Sequence, residues 1–249
     1  MKNAWWKLRA AALWVVSGLH FAVVATLLLA MGAVIDPRKN DWPQRFFFRN
    51  ILRLAGVGFE VRRSPGFDAK ATSIFISNHV NLFDPFVIYS AIPQFVRGFE
   101  LESHFKIPIY GWLMGRFGNV AVPDTPSREG LEIMQKSAKA ALDSGVSLIA
   151  FAEGSRTRDG QVKPFKKGIF NLAQKFGAPV TPMSIVGSYE FFQTGNWVMY
   201  PAKIVVYLHD TIDTTKIARG DVDALRQRVQ EIVAGPVEEA MRERTSQKD

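Results

Sequence analysis

The chain contains no cysteine. Disulfide staples, thiolate metal sites and a cysteine nucleophile are therefore excluded. Histidine is scarce, at 4 residues in 249, so few imidazoles are available for acid–base work. No Gly-x-Ser-x-Gly elbow presents a serine nucleophile, and neither a Walker phosphate loop nor a Gly-x-Gly-x-x-Gly turn occurs. Low-complexity tracts and internal repeats are missing too. Acidic side chains are outnumbered, 23 against 31 lysines and arginines, and the resulting charge of +8 favours an anionic partner. That partner is a nucleic acid, an anionic membrane surface or a phosphorylated substrate.

What the chain has in abundance is apolar bulk near its amino end. From Ala10 to Ile35 the run is interrupted only by Ser17, His20, Thr26 and two glycines. It exceeds the roughly 20 residues needed to cross a bilayer. Trp5, Trp6 and Trp14, with Lys2, Lys7 and Arg9, mark an interface at its start. Ala30-Met31-Gly32-Ala33 has the small residues of a signal-cleavage site, but the run is longer than a signal core, so a membrane anchor is expected. This selects a membrane or a phosphorylated substrate over nucleic acid. After Asp36-Pro37, Asp41 is placed to N-cap a second helix over Gln44 to Leu54. Arg45, Arg49 and Arg53 share one face of it beside Phe46, Phe47 and Phe48, as in a helix lying in the membrane interface or packed on the domain that follows.

Beyond residue 56 the pattern alternates. Strands are expected at Val57 to Val61, Ile74 to Ser77, Asn119 to Val122, Val146 to Phe151 and Lys203 to Leu208. Helices are expected at Ser127 to Asp143, Ile169 to Phe176 and Val222 to Arg244, with a helix or turn at Pro85 to Ser90. Such alternation indicates an α/β fold, a mixed sheet flanked by helices, over residues 57–249, preceded by a two-helix membrane-anchoring segment over residues 1–56.

Two polar blocks stand at strand ends, where open α/β sheets place their chemistry. The apolar run Ile74-Phe75-Ile76 leads into Asn78-His79, with Asp84 five residues beyond the histidine. A carboxylate at that spacing can fix the imidazole tautomer and leave the other ring nitrogen free to take a proton from a hydroxyl. The second run, Val146 to Ala150, leads into Phe151-Ala152-Glu153-Gly154-Ser155-Arg156. Together the blocks resemble those of the glycerolipid acyltransferases, typified by 1-acyl-glycerol-3-phosphate acyltransferase, over about Val57 to Ile185, and Ala178 to Ile185 resembles the family's last block, a strand flanked by prolines.

The resemblance implies transfer of an acyl chain from acyl-CoA or acyl carrier protein to lysophosphatidic acid at a membrane, with no cofactor, metal or nucleic acid. His79 and Asp84 are then the catalytic pair. Arg156 is the first choice for the acceptor phosphate, supported by Arg158 and Lys166, since arginine's planar fork suits that group. Gly154 allows close backbone approach, Glu153 orients the arginines or the acceptor hydroxyls, and Ser155, Asn81 and Arg128 complete the substrate-binding set. The family commonly has Asp-Arg where this chain has Asp124-Thr125, the nearest arginine being Arg128; another lysolipid, such as a lyso-ornithine lipid or a lysophospholipid, is the alternative acceptor. A membrane-bound hydrolase or thioesterase and a non-enzymatic lipid-binding protein are the more distant alternatives. Glu102 to Gly118 is expected as a core helix or a wall of an acyl-chain tunnel, and His104 and His209 as ordinary surface or loop histidines. The positive amino end and a cytoplasmic acyl donor both demand the same side of a bacterial inner membrane, so a helical pair dipping into one leaflet is expected rather than a single span.

Overall fold

The computed structural model describes residues 2–38, 41–218 and 220–246. Side chains are described from residue 4, so that of Lys2, read above as an interface cation, lies outside the described residues. In order the elements are α1 (Lys2–Val34), α2 (Trp42–Leu54), β1 (Val57–Arg63), β2 (Ile74–Ser77), α3 (Asp84–Ala91) and β3 (Val96–Leu101). A 3₁₀ turn (Glu102–Lys106), α4 (Tyr110–Arg116), β4 (Val120–Val122), α5 (Arg128–Asp143), β5 (Ser147–Phe151) and α6 (Gly168–Phe176) follow. β6 (Val180–Val186), α7 (Ser188–Phe191), β7 (Ala202–Leu208) and α8 (Val222–Ser246) complete the chain. The strands form one mixed sheet in the order β1-β7-β6-β2-β5-β3-β4. β6, β2, β5, β3 and β4 are mutually parallel, and β7 turns antiparallel to β6 while pairing parallel with β1.

The period-2 alternation of a strand divides the core into two layers. In β2, Phe75 enters one layer with Phe47, Ile51 and Leu52 of α2 and Val87 and Ile88 of α3. Its neighbours Ile74 and Ile76 enter the other, with Ala138 of α5, Phe170 of α6 and Leu225, Val229 and Val233 of α8. All four residues of β2 are buried, so the strand that feeds His79 is held from both faces.

Three sequence expectations are corrected. Asp41 does not cap α2; its carboxylate pairs with Arg45 at 2.7 Å instead. Two of the three arginines of α2 are not a free cationic stripe, and the helix is packed on the domain, the other reading of that face, while Arg53 is exposed. Arg45 donates to the carbonyls of Ile92 and, at 2.8 Å, Gln94, and Arg49 donates to Ser90 at 3.2 Å, so they fasten α2 to the end of α3. Glu102 to Gly118 is not one core helix; in agreement with the other expectation for this stretch, His104, Ile107, Tyr110, Leu113, Met114 and Phe117 line a cavity. Ile109 sits at φ 66°, ψ −59°, closed by the Tyr110 N–H on the Pro108 carbonyl at 2.7 Å. That is a γ-turn of the strained hand, costing a β-branched residue about 1–3 kcal/mol.

The α1 helix is long and apolar enough to cross a membrane by length and composition. At ~1.5 Å per residue it is about 50 Å long. It touches the rest of the chain near both ends. Arg9 donates to the carbonyls of Met199 (2.9 Å) and Ala55 (2.7 Å), and Trp14 Nε1 donates to that of Trp197 (2.8 Å). Ala25 and Leu28 pack on Leu113 and Phe117 near α4, and Arg116 reaches the Ile35 carbonyl at 3.4 Å. Leu8, Val15, Leu19, Val23 and Leu27 face outward and are exposed.

Candidate active site

β2 ends at Ser77 and β5 at Phe151, and these two residues are directly opposite each other in the sheet. The two polar blocks therefore emerge side by side. His79 Nδ1 lies 2.7 Å from Asp84 Oδ2. The same oxygen accepts the N–H groups of Val80 (2.6 Å) and Asn81 (3.0 Å), and Asp84 Oδ1 accepts the Ser188 hydroxyl at 3.2 Å. Asp84 is fully buried in the first turn of α3. Desolvation of a carboxylate is costly, and here its donors and the amino end of a helix offset it. With Nδ1 turned to Asp84, Nε2 is left for a substrate. The Phe151 ring stacks on the imidazole at 3.8 Å between centroids and fixes its plane.

The second block clamps the backbone of the first. Glu153 Oε1 accepts the His79 N–H at 2.8 Å, its Oε2 accepts the Lys163 N–H at 3.1 Å, and the Thr157 N–H donates to the His79 carbonyl at 2.9 Å. Burial pushes the Glu153 carboxyl above its ordinary range in spite of these donors. Glu153 thus positions the histidine's backbone, where the sequence placed it against arginines or acceptor hydroxyls. Asn81 is likewise framework: its amide donates to the Ser188 and Phe192 carbonyls at 2.8 Å each, and its oxygen accepts the Phe83 N–H.

The remaining expected residues separate. Arg156 lines the large cavity with His79, and its guanidinium makes no hydrogen bond or ion pair within the described residues. Gly154, at φ 70°, leaves room for Lys166, whose Nζ would stand 2.6 Å from an added Cβ. Lys163 Nζ donates to the Ser155 hydroxyl at 3.1 Å and to the Arg156 carbonyl, so Ser155 serves the loop's shape. Arg158 and Lys166 are exposed and do not line the cavity; the Arg158 carbonyl accepts the Tyr189 hydroxyl. Arg128 is removed from the site altogether: it is exposed on α5 and paired with Glu132 at 3.1 Å.

The cavity measures about 600 Å³. Its wall is mainly apolar, with Phe21 of α1, Phe47 of α2, Phe86 of α3 and Leu113 of α4 among its residues. Glu100, His104 and Tyr110 join His79 and Arg156 in it, a cluster that sequence reading missed. No local pattern announces it. Ser188 was missed as well, lying 104 residues from the aspartate it touches. His209 is half-buried, its Nε2 2.8 Å from the Ser184 hydroxyl, and burial pulls its imidazole below the ordinary value.

A profile of the Acyltransferase family matches residues 58–186. The chain is 29% identical over 144 residues to the chloroplastic 1-acyl-sn-glycerol-3-phosphate acyltransferase BAT2 of Brassica napus, covering 57% of this chain and 41% of that protein. It is 26% identical over 188 residues to a 1-acyl-sn-glycerol-3-phosphate acyltransferase of Borreliella burgdorferi, covering 75% and 74%. Of the Brassica napus and Limnanthes douglasii relatives the chain spans 41% and 58% of the length. The crystal structure of the 1-acyl-sn-glycerophosphate acyltransferase PlsC from Thermotoga maritima superposes with a TM-score of 0.79 at 23% identity, over 96% of this chain and 97% of that one, and shares its fold. The profile match runs from β1 to the end of β6 and takes in both polar blocks, and the chain belongs to the Acyltransferase family.

Proposed function

We propose that this protein is a 1-acyl-sn-glycerol-3-phosphate O-acyltransferase, moving an acyl chain from a thioester donor, acyl-CoA or acyl carrier protein, onto lysophosphatidic acid to give phosphatidic acid. One observation carries the reading: an imidazole held by a fully buried aspartate stands in the wall of a large apolar cavity together with an unpaired arginine. The apolar part suits acyl chains, the arginine suits an anionic headgroup, and the imidazole suits a hydroxyl. His79 Nε2 takes the proton of the acceptor's free hydroxyl as its oxygen attacks the thioester carbonyl. The tetrahedral adduct collapses with loss of the thiolate, and the imidazolium returns the proton to that sulfur. Base catalysis of this kind is worth ~10²–10⁴-fold. No covalent enzyme intermediate is required.

The placement of α1 supports a helix lying in one leaflet, and a cytoplasmic thioester donor would put that leaflet on the cytoplasmic face of a bacterial inner membrane. A helix bound to its own catalytic domain near Arg9 and again near Ile35 runs along that domain, while Leu8, Val15, Leu19, Val23 and Leu27 face away from it.

The test is thiol release from acyl-CoA in detergent micelles, with lysophosphatidic acid and then uncharged or zwitterionic lysolipids as acceptors. Release that is fastest with lysophosphatidic acid, slower with the other acceptors, and lost in His79→Ala is the expected result. Release that survives the substitution overturns the role of His79. Release only with another lysolipid moves the acceptor, a reading that the missing arginine after Asp124 and the outward Arg128 keep in view.

A further inference from the structure

Three parallel strands end at the same edge of the sheet. Ser77 of β2 is opposite Phe151 of β5, and Gly98 of β3 is opposite Ile149. Two residues further along β3, Glu100 is therefore level with both. The segments that follow these strands carry His79, Arg156 and His104, and all three line the one cavity. His104 is thus a second imidazole at the site.

His104 is held much as His79 is. Its Nδ1 pairs with Glu100 Oε1, and the Tyr110 hydroxyl donates to Glu100 Oε2 at 3.0 Å. Both carboxylate oxygens are therefore engaged by protein groups. The 3₁₀ turn that carries His104 is anchored by Asp124, which accepts the Ser103 N–H at 2.9 Å and the Ser103 hydroxyl at 2.6 Å. Neither Asp124 nor Lys106 lines the cavity. The cavity's positive side chains are then Arg156, with no ion pair, and whichever imidazole is protonated. His79 is committed to the hydroxyl, which leaves His104.

We propose that Glu100, His104 and Tyr110 form a second wall of the acceptor subsite, in which His104 Nε2 joins Arg156 on the phosphate of a phosphate-monoester lysolipid. The proposal rests on the reading of His79 as the base. An imidazole suits such a phosphate because either partner can carry the shared proton: a neutral ring nitrogen accepts from the monoanion, and an imidazolium donates to the dianion. Glu100 sets the ring's orientation, and Tyr110 sets Glu100.

The experiment measures wild type, His104→Ala and Tyr110→Phe with lysophosphatidic acid and with uncharged 1-acylglycerol, together with inhibition by glycerol 3-phosphate. His104→Ala is expected to raise the KM for lysophosphatidic acid and the inhibition constant of glycerol 3-phosphate by about tenfold, the effect of losing one charge-assisted hydrogen bond. The donor KM and turnover on 1-acylglycerol stay within about twofold. Tyr110→Phe gives a smaller shift in the same direction. An unchanged KM, an equal loss on both acceptors, or a rise confined to the donor overturns the proposal. So does a wild type that acylates an amine-bearing lysolipid and ignores lysophosphatidic acid. If the wild type acylates nothing, the base assignment fails separately, and calorimetric titration of glycerol 3-phosphate decides the subsite: equal binding by wild type and His104→Ala overturns it, and weaker binding by the variant supports it.

Discussion

Two histidine–carboxylate pairs share one cavity, and they are built to different standards. Asp84 has a fully buried side chain and takes donors from His79, Val80, Asn81 and Ser188. Glu100 keeps 25% of its side chain exposed and, among the described residues, takes only the two side chains His104 and Tyr110. His79 is 17% exposed and stacked on Phe151, whereas His104 is 40% exposed. The difference matches the proposed roles: a ring that is to meet a reacting hydroxyl at one angle needs a rigid seat. A ring that grips a headgroup tolerates a looser one. In each pair the carboxylate's hydroxyl partner is next to a glycine pressed on a carbonyl. A Cβ on Gly187, before Ser188, would lie 2.0 Å from the Lys203 oxygen, and one on Gly111, after Tyr110, would lie 2.1 Å from that of Phe105.

The largest effect that separates the pairs is on turnover. His79→Ala is expected to lower kcat by ~10²–10⁴-fold with donor binding retained, while Glu100→Gln costs far less. Similar losses in single-turnover assays would erase the distinction. Next come the glycines. Gly187→Ala and Gly111→Ala are each expected to lower stability by ~2–4 kcal/mol in urea titrations, since backbone rather than a side chain must give way. The first should lower kcat, and the second should raise acceptor KM. Ser188→Ala removes one donor from Asp84 and is expected to lower kcat/KM about fivefold, the equivalent of ~1 kcal/mol. The smallest effect concerns Glu153. Burial raises its folded carboxyl above the unfolded value, so the folded state holds the proton to higher pH. Its contribution to stability is then present at low pH and declines as pH rises above the ordinary carboxylate range. Urea midpoints between pH 4 and 7 should fall less steeply in Glu153→Gln, and an identical slope would mean that Glu153 is not the group responsible.

Strand β2 was readable because a strand buried on both faces has to be a short apolar run, and His79 and Asp84 were readable because five residues span a turn. The start of α5 was readable from Ser127, whose hydroxyl accepts the Gly130 N–H at 3.0 Å as an N-cap. Strand β3 was not. Val96–Leu101 includes Arg97, Gly98 and Glu100, which break the apolar signal, and it is held by pairing with β4 and β5. The break between the 3₁₀ turn and α4 was hidden for another reason: a γ-turn at a β-branched residue opposes local preference and exists because the packing around it prevails.

The sequence by itself determined most of the elements and the groups on offer: an α/β alternation, an apolar amino-terminal helix, one histidine, one carboxylate and an arginine-bearing loop. Those features are local, set by side-chain period and by spacing within a turn. Only the tertiary structure decided which arginines face the cavity. It spent Arg45 on carbonyls and Arg128 on Glu132, and it left Arg156 in the cavity wall with no ion pair among the described residues. It also brought His104, Ser188 and α1 to the site, because strand order and layer packing join residues that are far apart in the chain.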